Sequence, residues 1–171
     1  MTTISENGKI WPRKERLIEL FHYNPDTGVF IRRVGVGRRA HAGAVAGTVT
    51  PAGYVAISVG QRRYMAHQLA WIYVYGSPPS RHIDHRDKVR SNNSISNLRL
   101  CDKSTNAANS KPHKDSSTGV KGVFNDKRSG RYRAQIHVRG KSHYLGLFNT
   151  IDEVAAAYER AAIKHFGEFA G

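Results

Sequence analysis

The sequence predicts an α+β chain, and three observations carry that prediction. Residues 81–110 alternate and then cap like a strand, loop, strand and helix, a ββα unit. Tyr132, Ala134, Ile136 and Val138 alternate with Arg131, Arg133, Gln135, His137 and Arg139, the period of a strand with one apolar and one basic face. Thr150 and Glu153 then form a capping box ahead of Val154, Ala155, Tyr158, Ala161, Ala162 and Phe166, a helical stripe able to cover a small antiparallel sheet.

Taken in order, residues 13–21 offer a short helix with Leu17, Ile18, Leu20 and Phe21 to bury. Strand-like runs follow at 28–33, 47–50 and 54–59, with Pro51, Ala52 and Gly53 turning between the last two. In the Gly- and Ala-rich stretch 35–47, Arg38 and Arg39 fit phosphate contacts and a plain surface loop about equally. Residues 64–76 read as a buried helix ended by Gly76, after which Pro78 and Pro79 prevent its continuation. His67 on this helix suits a hydrogen-bonded structural role or a supporting place at an active site.

Residues 82–109 hold two histidines, three aspartates and five asparagines. Residues 81–85 form the first expected strand and 97–101 the second; Asp102 is a good N-cap for a helix over 103–110, with Asn106 near its first turn. Asp84 and His85 thus end a strand opposite a helix start, where free N–H groups favour an anion such as a phosphate. A carboxylate and an amide are oxygen ligands for a hard cation such as Mg²⁺, and a neutral imidazole can take a proton from water. Two plainer readings compete: an Asn-rich stretch that is just a turn, and structural zinc on His82 and His85. Zinc commonly recruits cysteine pairs, whereas the chain has one cysteine, Cys101, read as a small buried strand residue.

The 171 residues carry a net charge of +14. Residues 1–110 hold 16 basic against 7 acidic side chains (+9), and 111–171 hold 11 against 6 (+5), so both halves point to a polyanion. No apolar run approaches the roughly 18 residues of a membrane span, the N-terminus lacks the apolar segment of a secretory signal, and no basic amphipathic surface helix argues for a membrane. A single cysteine fits a reducing, cytoplasmic setting.

With these residues in view, the stretch resembles the phage-type HNH homing endonucleases and their ββα-metal fold. The resemblance rests on Asp84-His85, on Asn97-Leu98 twelve residues after that histidine, and on Asn106. It implies His85 as general base, Asp84 and Asn106 as ligands of one divalent cation (Mg²⁺, or another such as Mn²⁺), and Asn97 as the residue tying down the loop and orienting the histidine. Asn93 also falls where the family often carries Asn. Residues 67–71, His-Gln-Leu-Ala-Trp, resemble the element that precedes this motif in phage members, with Gln68 for the usual Arg. His67 and His82 are supporting candidates.

Residues 111–118 shift to Lys, Ser and Pro and read as a linker, dividing the chain into 1–110, with its nuclease motif at 81–110, and 119–171. The latter resembles the ethylene-response-factor (Apetala-type) DNA-binding domain through residues 119–123, 132–136, 144–148, 155–158 and 161–162. By position, that resemblance implies Lys121, Phe124, Arg128, Arg133, Gln135, His137, Ser142 and Tyr144 as DNA-facing. Phe124, Ser142 and Tyr144 depart from the plant pattern, so the plant target sequence does not transfer. A solvated, ligand-free sheet is the plainer reading of this face. A β-ribbon, however, fits the major groove of double-stranded DNA.

The expected whole is a DNA endonuclease positioned by its C-terminal sheet, in the cytoplasm of a bacterial host if phage-borne. One site per chain makes nicking the simpler outcome for a monomer; the sequence leaves double-strand cleavage and dimerisation open. The rival is a catalytically silent regulator that keeps the HNH scaffold to bind DNA; every motif residue expected of an active enzyme is present.

Overall fold

The computed structural model describes residues 2–4, 9–37, 40–102, 105 and 116–170, arranged in two compact units, Met1–Leu100 and Cys101–Gly171. Arg38, Arg39, Asn106 and the expected linker up to residue 115 lie outside the described residues.

The first unit mixes short antiparallel pairs with two helices: β1 (Thr2–Ile4) with β2 (Ile10–Pro12), and β3 (Phe21–Tyr23) with β4 (Phe30–Arg32). β5 (Thr48–Val49), β6 (Val55–Val59) and β7 (Arg62–Met65) form a three-stranded sheet, and β8 (His82–His85) pairs with β9 (Leu98–Cys101). The helices are α1 (Lys14–Leu20) and α2 (Ala66–Tyr75). Leu17, Phe21, Tyr23, Phe30, Ile57, Leu69, Ile72 and Leu98 share one core, so α2 packs at its centre against both the N-terminal elements and the motif strand β9. Gly76 ends α2 in the left-handed region, its N–H returning to the Ile72 carbonyl.

Two expectations need correcting here. Tyr64 and Met65 are not the start of the helix: they finish β7, pairing with Ile57 and Ala56, and the helix begins at Ala66. The apolar run across residues 64–75 hides that junction, because a short apolar stretch fits strand and helix alike. Phe21, read as helical, instead opens β3 opposite Arg32. The partner strand supplies hydrogen bonds that local periodicity does not reveal.

In the second unit β10 (Val123–Asp126), β11 (Arg131–Val138) and β12 (Lys141–Phe148) form an antiparallel sheet. Helix α3 (Ile151–Phe166) covers one face, where Val123, Ala134, Ile136, Val154, Tyr158 and Phe166 are buried. The capping box is present: Thr150 Oγ1 accepts from the Glu153 N–H, and Glu153 Oε2 accepts from the Thr150 N–H. Gly122, at φ +69°, is a required glycine, since a Cβ there would lie 2.3 Å from both the Gln135 carbonyl oxygen and the Tyr158 ring. Among the described residues, no helix is long and apolar enough to cross a membrane.

Candidate active site

Strand β8 ends on Asp84 and His85, both buried although polar. Their burial follows from the pairing of β8 with β9, whose Arg99 donates Nε to Asp84 Oδ2 at 2.9 Å, an ion pair itself shielded from water. That guanidinium fixes the orientation of the carboxylate, as an outer partner does for a metal ligand.

The connection between the strands is held by its own polar side chains. Asn97 Nδ2 donates to Asp87 Oδ1 and to the Asn92 carbonyl, both at 2.9 Å, while its Oδ1 accepts from the Asp87 N–H at 3.0 Å. Asp87 also accepts from the Val89 N–H and from Asn92 Nδ2. Desolvation opposes ionisation of Asp87, yet the hydrogen bonds from Val89, Asn92 and Asn97 outweigh it and hold its pKa below the ordinary value. Asn97 is thus bonded into the loop, and Asn93, whose Nδ2 donates to the Ser91 carbonyl at 2.9 Å, is a close polar neighbour of His85.

The N-terminal hairpin braces this loop. Tyr23 donates its hydroxyl to the Asn93 carbonyl at 2.7 Å, and the Ile95 N–H donates to the Pro25 carbonyl at 2.9 Å. Gly28, at φ +71°, lies so close that a Cβ would stand 2.2 Å from the Asn93 carbonyl carbon.

His85 faces two rings from other elements. His67, in the first turn of α2, meets it edge-on, with centroids 5.1 Å apart and planes at 86°. Tyr54 tilts against both, 5.4 Å from His67 and 5.9 Å from His85. Burial lowers the His85 pKa; the Asn93 hydrogen bond, Asp87 and Asp84 pull it back up, and Arg90 pushes it down. Burial, with smaller contributions from His85 and Lys9, pushes His67 down to about 3. Both imidazoles are neutral near pH 7. His67 Nδ1 is buried without a hydrogen-bond partner, so His67 contributes a ring against His85 where a hydrogen-bonded histidine was the plainer reading.

The site therefore brings together Asp84, His85, His67, Asn93 and Asn97. His82 is exposed at the start of β8, and Asn106 lies outside the described residues. Tyr54, Asp87, Arg90 and Arg99 join the site without having been singled out from the sequence. Arg99 had a signal in the alternation of residues 97–101, which places a cation among apolar strand positions. Among the described residues no three His, Cys, Asp or Glu side chains gather as a closed metal cage. Held carboxylates, Asp84 and Asp87, beside a neutral imidazole are oxygen donors that fit a hard cation keeping most of its waters.

In the second unit the face opposite α3 carries most of the other candidates. Register places Phe124 opposite Arg133, Gln135 opposite Tyr144 and His137 opposite Ser142. Arg133 lies over the Phe124 ring at 5.6 Å, and His137 Nδ1 is 3.1 Å from Ser142 Oγ. Tyr144 is 64% exposed, leaving a large aromatic in water on a basic face. Arg128 is exposed in the β10–β11 turn, and Lys121 is half-buried just before β10.

A family model described as HNH endonuclease matches residues 64–108, from the end of β7 through the motif. Protein 3.8 of Escherichia phage T7 is 31% identical over 93 residues, covering 54% of this chain and 76% of that protein. The solved structure of DNA binding and cleavage by the HNH homing endonuclease I-HmuI aligns with a TM-score of 0.39 and 21% identity. That alignment covers 53% of this chain, which spans about half (51%) of that one.

Proposed function

As the chain belongs to the HNH endonuclease family, we propose that it is a metal-dependent endonuclease that hydrolyses phosphodiester bonds of double-stranded DNA. The observation that carries this reading is His85: a buried imidazole kept neutral, beside the Arg99-held Asp84 carboxylate at the end of β8. A neutral imidazole is the form a general base requires. His85 accepts a proton from the attacking water, whose oxygen bonds to phosphorus as the bond to the leaving oxygen breaks. Asn93 and the edge-on His67 ring, the latter from α2, set the orientation of the base, and Asn97 holds the loop that carries Asn93.

Asp84, with Asn106 by resemblance, is the protein ligand for Mg²⁺ or Mn²⁺, and the bound cation supplies charge stabilisation at the phosphoryl and leaving oxygens. The sheet face of the second unit, an Apetala-type DNA-binding domain in this reading, supplies sequence-reading and phosphate contacts through Arg133, Gln135, His137 and Tyr144.

Incubation with supercoiled plasmid tests the assignment. Nicking or linearisation with Mg²⁺, lost with EDTA and in His85→Ala, is the expected result. Binding without cleavage under any divalent cation would instead identify a silent HNH scaffold acting as a DNA-binding regulator.

A further inference from the structure

The residues that hold DNA at the nuclease centre itself are not named by the motif, which supplies a base and a cation site. Arg90 stands at that centre in an unusual state for a surface arginine. Its Nη1 donates to the Ala52 carbonyl at 2.9 Å, and its guanidinium lies over the Tyr54 ring, 5.0 Å from the centroid. Tyr54 in turn packs against His85 and His67. Arg90 is exposed and, among the described residues, has no carboxylate partner, whereas Arg99 is spent on Asp84. The cation is therefore held by a carbonyl and an aromatic face without being neutralised, on an exposed side chain.

Surface arginines ordinarily lose rotamer entropy when they bind, and a guanidinium already stacked and hydrogen-bonded has less to lose. Its planar fork also matches phosphate oxygens in pairs. The turn at residues 51–54 carries both the carbonyl and the ring, and through Tyr54 it packs against His85. Phosphates of one DNA strand recur about every 3.4 Å of helix axis. With Arg90 5.0 Å from the Tyr54 centroid and that ring 5.9 Å from His85, the cation reaches a phosphate within a few positions of the reacting one.

We propose that Arg90, held by Ala52 and Tyr54, is a phosphate clamp that seats the DNA backbone against His85. This rests on the endonuclease reading, and the two are separable by experiment. Cleavage is measured for the parent, Arg90→Ala, Arg90→Gln and Tyr54→Leu. Affinity for a mixed-sequence duplex is measured across a salt series for the same changes in a His85→Ala background, so that binding is read without cutting.

Arg90→Ala is expected to melt like the parent, to bind and cut about 10- to 100-fold less well, and to lower the slope of log affinity against log salt by about one. Arg90→Gln, which can still donate to Ala52, is expected to show the same loss because the charge is gone. Tyr54→Leu should lose part of the affinity with the salt slope unchanged, the charge remaining but no longer held.

Unchanged cleavage and salt slope in Arg90→Ala would overturn the clamp. So would full recovery of affinity and slope in Arg90→Gln, which would make Arg90 a brace for the turn. A parent that never cuts defeats the endonuclease reading while the salt series still decides Arg90.

Discussion

At the scale of single residues, the proposed chemistry divides between a base, a ligand and their supports. His85→Ala should lower plasmid cleavage by about 10²- to 10⁴-fold with DNA affinity retained, because a general base contributes that much while an uncharged imidazole adds little to phosphate binding. Asp84→Ala should show residual activity that rises with Mg²⁺ concentration, and Asn106→Ala a milder form of it; activity titrations separate these from His85→Ala. A different measurement addresses His67, whose folded pKa of about 3 lies below the ordinary 6.5. Between those values the unfolded chain binds a proton that the folded chain refuses. Stability is therefore complete above pH 6.5 and falls as pH drops toward 3, by about 1.4 kcal/mol per unit from this group. Protonation there would place a cation beside His85 and Lys9, against the Tyr54 ring. His67→Phe keeps a ring and removes the titration, so chemical denaturation from pH 7 to 4 should show a flatter acid limb in that variant. Equal slopes in the two proteins would mean that His67 does not titrate as described.

Among elements, the loop between β8 and β9 depends on a hairpin about seventy residues upstream, Tyr23 and Asn93 being 70 positions apart. Gly28→Ala would force a Cβ against the Asn93 backbone at a φ of +71°, whereas Gly60, at φ +61° in the β6–β7 turn, faces open space. Both changes carry the left-handed penalty, of order 1–3 kcal/mol. Gly28→Ala alone should also displace Asn93 and Tyr23, so its thermal midpoint should fall further than that of Gly60→Ala and its cleavage rate should fall with it. This dependence explains what the sequence could and could not reveal. Asp84, His85 and Asn97 were legible because their spacing is local and chemical. The α3 capping box and the β11 alternation were legible because one segment contains the whole signal. Arg99 showed only as a cation in the β9 alternation, and Tyr54 and Arg90 were not legible, since the Arg90 partner arrives from a turn 38 residues away. β1, β2 and β3 were missed because three-residue strands show no period, and β10 because Val123 is its one fully buried side chain.

For the molecule as a whole, charge and architecture make separable demands on DNA binding. Each half of the chain is basic, +9 for residues 1–110 and +5 for 111–171, so neutralised phosphates should release counterions at both. Log affinity should fall linearly with log salt, and a flat response between low and physiological salt would rule out an electrostatic interface. The sheet face adds something charge alone does not. Arg133, Gln135 and Tyr144 lie on the face opposite α3, with Gln135 and Tyr144 paired across β11 and β12. Replacing Arg133 should reduce both affinity and salt slope, as loss of a phosphate-contacting charge does. Replacing Gln135 or Tyr144 by Ala should leave the salt slope intact and instead narrow the gap between preferred and random DNA, because an amide and an aromatic read base edges and faces. In either variant the single-turnover cleavage rate at saturating protein should match the parent, since Asp84 and His85 are untouched. A slower rate at saturation would mean that this sheet takes part in forming the nuclease centre as well as in holding DNA.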